Sequence, residues 1–409
     1  TSFEYRKIRY LLKFIFTIRF FLHYLSERPN DRLTFEYQRK ISNLMKYKSR
    51  KKTLGVERFM KHYHLQVRNC ICLNYIFLEN NPKNQQYFFH LHNLFKFHGE
   101  MKYTVKGKFL FTKDKTMLEK NPTKIMEFFF ECHNRKLSPS YNELRVILNT
   151  VSFINKSKFN KSLIKKIFTS ILINDKENHL FSLLNETGLL SKIIPFFNRI
   201  VGLAQFDLYH VYSVDQHSVR ALKNLKKIDY PKAENQNDYL SQICHLIKNK
   251  IPLYFAVLLH DIGKGSGRNH TLEGFNLSKK ISKFFDLNDD DVDDISWLVK
   301  NHSTFCDTAF KKDIEDPKVI EELCGNIKNH QRLLILFIIS VVDLKSVNSS
   351  VWNEWKESLI KKLFNKCEDY FLNPQYADNS KGHLLMKKIK TQKLLILTKP
   401  ETFKKFENI

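Results

Sequence analysis

Apolar residues recur at helical spacing along most of this 409-residue chain. A representative stretch follows the capping-box pattern from Ser140 to Glu143, after which Leu144, Ile147 and Leu148 fall on one helical face. Glycine and proline, which interrupt helices, occur only 11 and 10 times. The sequence therefore predicts a mainly α fold.

One segment departs from the helical pattern. Tyr103 and Val105 alternate with polar residues, Gly107 offers a tight turn, and Phe109 and Phe111 continue the alternation. We therefore expect a small β-hairpin within an otherwise helical N-terminal region.

The length of the chain allows two domains, and the best candidate for a junction is the segment 185–202, which contains two glycines and a proline. We predict a helical region at residues 1–190 and a second, all-α domain at residues 191–372. A basic tail with weak patterning follows at residues 373–409.

Charge and cysteine content narrow the class of protein. The formal net charge is +26, but the basic residues are spread along the chain rather than gathered in blocks with stacking aromatics, so a nucleic acid is not an expected partner. The seven cysteines form no CxxC pair, which is typical of a reducing cytoplasm rather than of a disulfide framework. Apolar runs are too short or too interrupted by charge to cross a membrane.

Three separated segments supply imidazole and carboxylate groups: His217 in DQHSVRAL, the pair His260 and Asp261 in LLHDIGKG, and Asp343 in ISVVDLKS. The pair follows an apolar run, and Asp343 lies inside another, where an unpaired carboxylate would be costly. Neutral imidazole and carboxylate oxygen suit a borderline or hard divalent ion, and four such ligands leave positions open for water and a phosphate oxygen. We therefore predict a catalytic metal centre that hydrolyses a phosphate ester.

Further residues could extend this site, although a lone histidine is more often a hydrogen-bonded core residue. His270 in GRNHTLEG and His302 in VKNHSTF could complete a second metal site that Asp261 bridges. Lys264 could place a cation beside the leaving group, so that Asp261 and Lys264 are the candidate catalytic residues. His210 in LYHVYSVDQH could line the substrate cleft or cap a helix.

These residues resemble the HD superfamily of metal-dependent phosphohydrolases, which is named after its His-Asp pair. The ordered set FDLYHVYSVDQHSVRAL, LLHDIGKGSGRNHTLEG, WLVKNH, VVDLKSV and WNEWKESLI is similar to the uridylyl-removing domain of bifunctional PII uridylyltransferases. In the first half, FFLHYLSERPNDRLTFEYQRKIS and VERFMKHYHLQVRN resemble the helical region that follows the nucleotidyltransferase core of these enzymes. The resemblance covers roughly residues 7–360.

The resemblance implies a bacterial enzyme whose all-α HD domain removes UMP from a tyrosine of the PII nitrogen-signalling protein, with Mg²⁺ or Mn²⁺ as cofactor and regulation by glutamine. The chain lacks the Gly-Ser motif with paired aspartates of a nucleotidyltransferase, so uridylyl transfer is not expected from it. No pair of ACT domains follows Asp343, which leaves glutamine sensing through such domains unsupported.

Two other functions are compatible with the same residues. The ligand set also suits an HD phosphohydrolase that acts on a free nucleotide or a cyclic dinucleotide. A third possibility belongs to a different class: a catalytically silent, regulatory helical module whose metal site only stabilises the fold, or a basic helical module that binds nucleic acid.

Overall fold

A computed structural model describes residues 2–50, 53–79, 102–114, 116–154, 159–205, 211–233, 238–266, 269–348 and 351–373. Most of these residues are helical, which confirms the predicted fold class. The described residues up to position 79 contain α1 Ser2–Ser26, α2 Phe35–Leu44 and α3 Gly55–Glu79. In the described part of the chain, no helix is both long and apolar enough to span a membrane.

The remaining helices follow in two groups separated by a short 3-10 helix, Phe197–Arg199. The helices before it are α4 Met117–Lys120, α5 Pro122–Arg135, α6 Tyr141–Val151, α7 Lys161–Asn174, α8 His179–Glu186 and α9 Leu190–Ile193. Those after it are α10 Val214–Asp229, α11 Tyr239–His245, α12 Lys250–Leu259, α13 His270–Phe284, α14 Asp289–Asn301, α15 Thr304–Lys311, α16 Pro317–Ile327, α17 His330–Val347 and α18 Glu354–Leu372.

The expected hairpin is present. Strand β1 (Tyr103–Lys106) pairs antiparallel with β2 (Phe109–Thr112), and Gly107 makes the turn with a φ of +56°, which glycine adopts without strain. A third strand, β3 (Ser138–Pro139), pairs parallel with β2. The sequence did not predict β3, because two residues that include a proline carry no alternation signal.

The predicted capping box begins α6 and also fastens the sheet to this helix. The side chain of Ser140 caps the helix by accepting a hydrogen bond from the backbone N–H of Glu143. The buried Glu143 carboxylate in turn accepts from the backbone N–H of Thr112 at 3.1 Å and from its hydroxyl at 3.2 Å. The Glu143 carboxylate thereby accepts hydrogen bonds from both donors of Thr112, the last residue of β2.

The chain divides into two compact units. The first comprises Thr1–Ser303 and Ile338–Asn353, and the described residues of the second lie at 304–337 and 354–373. Every candidate site residue within the described part of the chain belongs to the first unit. The domain boundaries expected at residues 190 and 372 stay predictions.

Helix α12 forms the centre of the core around the candidate site. Its residues from Pro252 to Leu259 are all buried, and α10 and α14 pack against it. A helix that is apolar on every side is stable only in such an interior position. The His260-Asp261 pair directly follows this helix and is therefore held inside the protein.

The turn after Asp261 depends on glycine because another helix approaches it closely. A Cβ atom on Gly263 would lie 2.0 Å from the carbonyl oxygen of His270 and 2.5 Å from the backbone nitrogen of Gly274. Gly265, two residues later, has a φ of +74°. Backbone atoms cannot move aside as a side chain can, so the turn excludes a larger residue at position 263.

We expect Gly263→Ala to lower the free energy of unfolding by about 1–3 kcal/mol, because the added methyl group would force α13 away from the turn. Urea denaturation measures this change. Gly325→Ala is the matched control, since no atom lies within 4 Å of a Cβ placed there and alanine favours a helix. Equal effects of the two substitutions would contradict the close approach at Gly263.

Lys226 of α10 is a buried base in the same unit. Its side chain is 1% exposed, and its Nζ donates to the carbonyl oxygen of Ile173 and lies 4.5 Å from the centre of the Tyr254 ring. Burial lowers the pKa of Lys226 to about 7, against the opposing influence of Asp175 and Asp229. The amine therefore binds its proton less readily in the folded than in the unfolded chain.

This difference predicts a pH-dependent stability. Between pH 7 and the ordinary lysine pKa, the unfolded chain binds the proton that the folded chain has lost, so the contribution of Lys226 to stability rises with pH. The wild-type protein should therefore gain stability relative to Lys226→Met between pH 7 and pH 9.5. Urea denaturation at both values tests this, and a constant difference between the two proteins would contradict it.

Candidate metal centre

Three helical segments bring imidazole and carboxylate atoms to one point. His217 lies in the first turn of α10, His260 follows the last residue of α12, and Asp343 lies in α17. The Nε2 atom of His217 is 3.1 Å from Nε2 of His260 and 2.8 Å from Oδ1 of Asp343. His260 Nε2 and Asp343 Oδ1 are 3.6 Å apart. These three residues form a potential metal-binding group.

The separations fit one bound ion. Donors that bind the same ion at about 2.1 Å lie roughly 3.0–3.4 Å apart, depending on the coordination geometry. The three separations in the cluster, 2.8, 3.1 and 3.6 Å, bracket this range. Two imidazole nitrogens at such a distance also need a shared proton or cation between them, since their lone pairs repel each other.

Backbone carbonyl groups orient two imidazoles toward the cluster. The Nδ1 atom of His260 donates to the carbonyl oxygen of Val257 at 2.8 Å, and that of His302 donates to Val299 at the same distance. A proton held on Nδ1 leaves the Nε2 lone pair available, as in most metal-binding histidines. These hydrogen bonds therefore orient His260 and His302 so that Nε2 is the atom that a metal would bind in place of a proton.

Asp261 is buried beside the cluster and is paired on one oxygen only. Its Oδ2 lies 2.7 Å from Nζ of Lys264 and 3.3 Å from Nε2 of His260. Among the described residues, its Oδ1 has no hydrogen-bond partner, and His302 Nε2 lies 3.9 Å away. A buried carboxylate oxygen without a partner is costly, and a cation between Asp261 and His302 would remove this cost.

The charges of the cluster shift its pKa values. Burial opposes ionisation of Asp261, but Lys264 and His260 outweigh it and hold the pKa of this carboxyl well below its usual range. The pKa of Asp343 is lowered in the same way by His217 and His260, against the effect of burial. Burial lowers the pKa of His260, yet Asp261 and Asp343 raise it to about 9. The cluster therefore attracts positive charge.

His302 behaves differently, because burial and the neighbouring His260 lower its pKa. It stays neutral at physiological pH, which is the form that binds a metal. His302 is only 6% exposed. Its role in a second metal site stays a prediction, now supported by its position beside Asp261.

The other two histidines predicted to belong to the site are His270 and His210. His270 is the first residue of α13, and its side chain is exposed. Its backbone carbonyl, rather than its imidazole, lies against the turn at Gly263. The structure does not bring its imidazole into the three-residue group. Its role as a ligand stays a prediction. His210 lies outside the described residues.

Two further residues position the side chains of the centre. Asp215 is buried, and its carboxylate accepts hydrogen bonds from the backbone N–H of Gly202 at 2.9 Å and from the side chain of Asn185 at 3.3 Å. It fastens the start of α10, and so His217, to the preceding loop. Gln205 accepts a hydrogen bond from Lys264 at 2.8 Å. No sequence pattern marks this glutamine.

The donors of this cluster suit a divalent cation with mixed nitrogen and oxygen ligands. His217, His260 and Asp343 would hold one ion, and Asp261 with His302 could hold a second.

Comparisons with known proteins agree with this geometry. Residues 214–344 match the HD domain, and residues 1–78 match the family described as GlnD PII-uridylyltransferase. Three relatives are each named bifunctional uridylyltransferase/uridylyl-removing enzyme. The protein of Azospirillum brasilense is 33% identical over 362 residues, 87% of this chain and 39% of the relative. That of Rhodospirillum rubrum is 32% identical over 87% of this chain and 38% of the relative.

The third, from Erythrobacter litoralis, is 31% identical over 90% of this chain and 41% of the relative. The chain therefore spans about two fifths of the length of these relatives. The resemblance expected from the sequence is confirmed: this chain is similar to part of the bifunctional uridylyltransferase/uridylyl-removing enzymes, and its residues 214–344 match the HD domain.

Proposed function

We propose that this chain is a metal-dependent phosphohydrolase that removes UMP from a tyrosine of uridylylated PII. The observation that carries the proposal is the convergence of His217, His260 and Asp343 beside the buried pair of Asp261 and Lys264. The uridylyl-removing activity in the names of the relatives supports the choice of substrate. The seven free cysteines fit a reaction in the reducing cytoplasm.

The residues of the centre have distinct roles in this proposal. A divalent ion, Mg²⁺ or Mn²⁺, would activate a water molecule and neutralise charge on the phosphoryl oxygens. His217, His260 and Asp343 would bind it, and Asp261 and His302 would bind a second ion. The ammonium group of Lys264 keeps Asp261 ionised and offers positive charge to the phosphate.

The reaction exchanges one phosphorus–oxygen bond for another. The bond between phosphorus and the tyrosine oxygen breaks, and a bond from phosphorus to the oxygen of water forms. The tyrosine oxygen receives a proton, and water supplies it. UMP and unmodified PII are the products, so no further reactant is needed.

Incubation of uridylylated PII with this chain and Mn²⁺ should release UMP. The double variant His260→Ala/Asp261→Ala should lose at least about 10³-fold in kcat/KM, because the metal supplies several kcal/mol of transition-state stabilisation. A chelator should abolish release, and added Mn²⁺ should restore it. Chromatography of the released nucleotide measures the rate.

His245→Ala is the matched control for this experiment, because His245 is an exposed histidine of α11 that makes a hydrogen bond within its own helix. It should retain wild-type activity. Full activity of the double variant would refute the assignment of the centre. Hydrolysis of free nucleotides or cyclic dinucleotides without any release from PII would refute the proposed substrate and leave the phosphohydrolase chemistry intact.

The number of metal ions bound per chain should show whether His302 and His217 are metal ligands. We expect about two Mn²⁺ per wild-type chain, as in two-metal phosphohydrolases, and about one in His302→Ala. His217→Ala should weaken binding at the other position, because it removes one of three closely spaced donors. Metal analysis after equilibrium dialysis provides the count, and circular dichroism establishes that each variant is folded.

The same measurement tests His270. A normal metal content in His270→Ala would remove this exposed residue from the predicted ligand set, whereas a loss would show that α13 supplies a ligand. Two bound ions in His302→Ala would contradict the second position beside Asp261.

A further inference from the structure

The first unit contains a cavity of about 140 Å³, and one of its lining residues, Gln205, contacts Lys264 of the candidate site. The N-terminal part of the chain forms most of its wall, with residues from the start of α2 and from α3. Ala204, Gln205 and Val211, which precede α10 in sequence, line the remainder. The lining residues are Leu33, Thr34, Phe35, Gln38, Glu57, Met60, His64, Ala204, Gln205 and Val211.

The cavity is joined to the metal centre by two hydrogen bonds in series. The side chain of Gln205, in the cavity wall, accepts from Nζ of Lys264 at 2.8 Å, and the same nitrogen lies 2.7 Å from Oδ2 of Asp261. Lys264 therefore stands between the cavity and the residues that hold metal. A ligand could place one end in the cavity and the other at Lys264.

The charge of the lining excludes a phosphate as the cavity's own ligand. Among the described lining residues there is no lysine or arginine, and Glu57 carries a negative charge. Burial lowers the pKa of His64, although Asp215 opposes this, so the imidazole is neutral at physiological pH. The phosphate of a nucleotide would be repelled from the cavity and attracted to Lys264 and bound cations.

The uncharged side chains that line the cavity suit a flat, uncharged and polar ligand group. Phe35 and Met60 supply apolar surface, while Gln205, the neutral His64 and Gln38 supply hydrogen-bonding groups. The Gln38 amide nitrogen also donates to the carbonyl oxygen of Leu33 at 3.1 Å, which leaves its oxygen and one N–H for a ligand. Because the Gln205 oxygen already accepts from Lys264, its amide nitrogen is the part that can donate to a ligand carbonyl. Uracil presents two carbonyl acceptors and one N–H donor, and this pattern matches amide side chains.

We propose that this cavity binds the nucleoside part of the cleaved group, with the uracil base among the α2 and α3 side chains and the phosphate at Lys264. This inference rests on the proposed function and adds to it a base-recognition site supplied by the N-terminal helices. The HD segment holds the reacting phosphate, and the helical region determines which nucleotide is accepted.

Binding of UMP and of uridine to the full chain, measured by calorimetry, tests the inference without requiring turnover. Both should bind the wild-type protein, and adenosine should bind more weakly. Gln38→Leu and Phe35→Leu should each weaken UMP binding about tenfold, through loss of a hydrogen bond or of stacking surface. Both variants should bind Mn²⁺ as the wild-type protein does, which also establishes that they are folded.

Gln242→Leu is the matched control, because Gln242 is an exposed residue of α11 that does not line the cavity. It should bind UMP normally. Absence of uridine binding to the wild-type protein, or unchanged UMP binding in both cavity variants, would overturn the nucleoside site. Cavity-dependent UMP binding without release of UMP from uridylylated PII would instead refute the proposed function and leave the binding site in place.

Discussion

The burial of Asp261 is the constraint on which the first unit depends. An ionised carboxylate in an apolar interior is costly unless charged and hydrogen-bonding partners surround it. Lys264 and His260 contact one oxygen of Asp261, and a cation beside His302 would compensate the other. The surrounding helices can therefore be understood as a scaffold that brings these partners to a single carboxylate.

The scaffold achieves this by placing each polar group at the end or on one side of an apolar helix. The buried helix α12 ends directly before His260, so the apolar packing of its residues fixes the position of the His-Asp pair. Asp215 anchors the start of α10 to Gly202 and thereby positions His217. The packing energy of many apolar contacts thus offsets the cost of one charged cluster, and this accounts for a candidate metal centre deep within a helical protein.

The sequence predicted those features that have a local physical signature. The capping residues Ser140 and Glu143 begin α6, and Gly107 turns the hairpin, because both depend on neighbours in the chain. The apolar surroundings of His260 and Asp343 identified them as candidates, since a buried polar group needs a partner.

Local patterns could not identify Gln205, whose partner Lys264 is 59 residues away. Nor could they show that the side chain of His270 is exposed while its backbone fills the turn at Gly263.

The contact between the N-terminal helices and the HD segment connects two parts of the chain that match separate family descriptions. Residues 1–78 and 214–344 are far apart in sequence, yet Gly202, which anchors α10, lies against Leu65 and Lys61 of α3. A metal centre by itself distinguishes poorly between phosphodiesters, because the reacting phosphate is common to all of them. Selectivity must come from groups that contact the rest of the substrate, and α2 and α3 are the described elements that line the neighbouring cavity. Under the proposed function, the helical region is therefore better regarded as part of the hydrolase than as a spacer that precedes it.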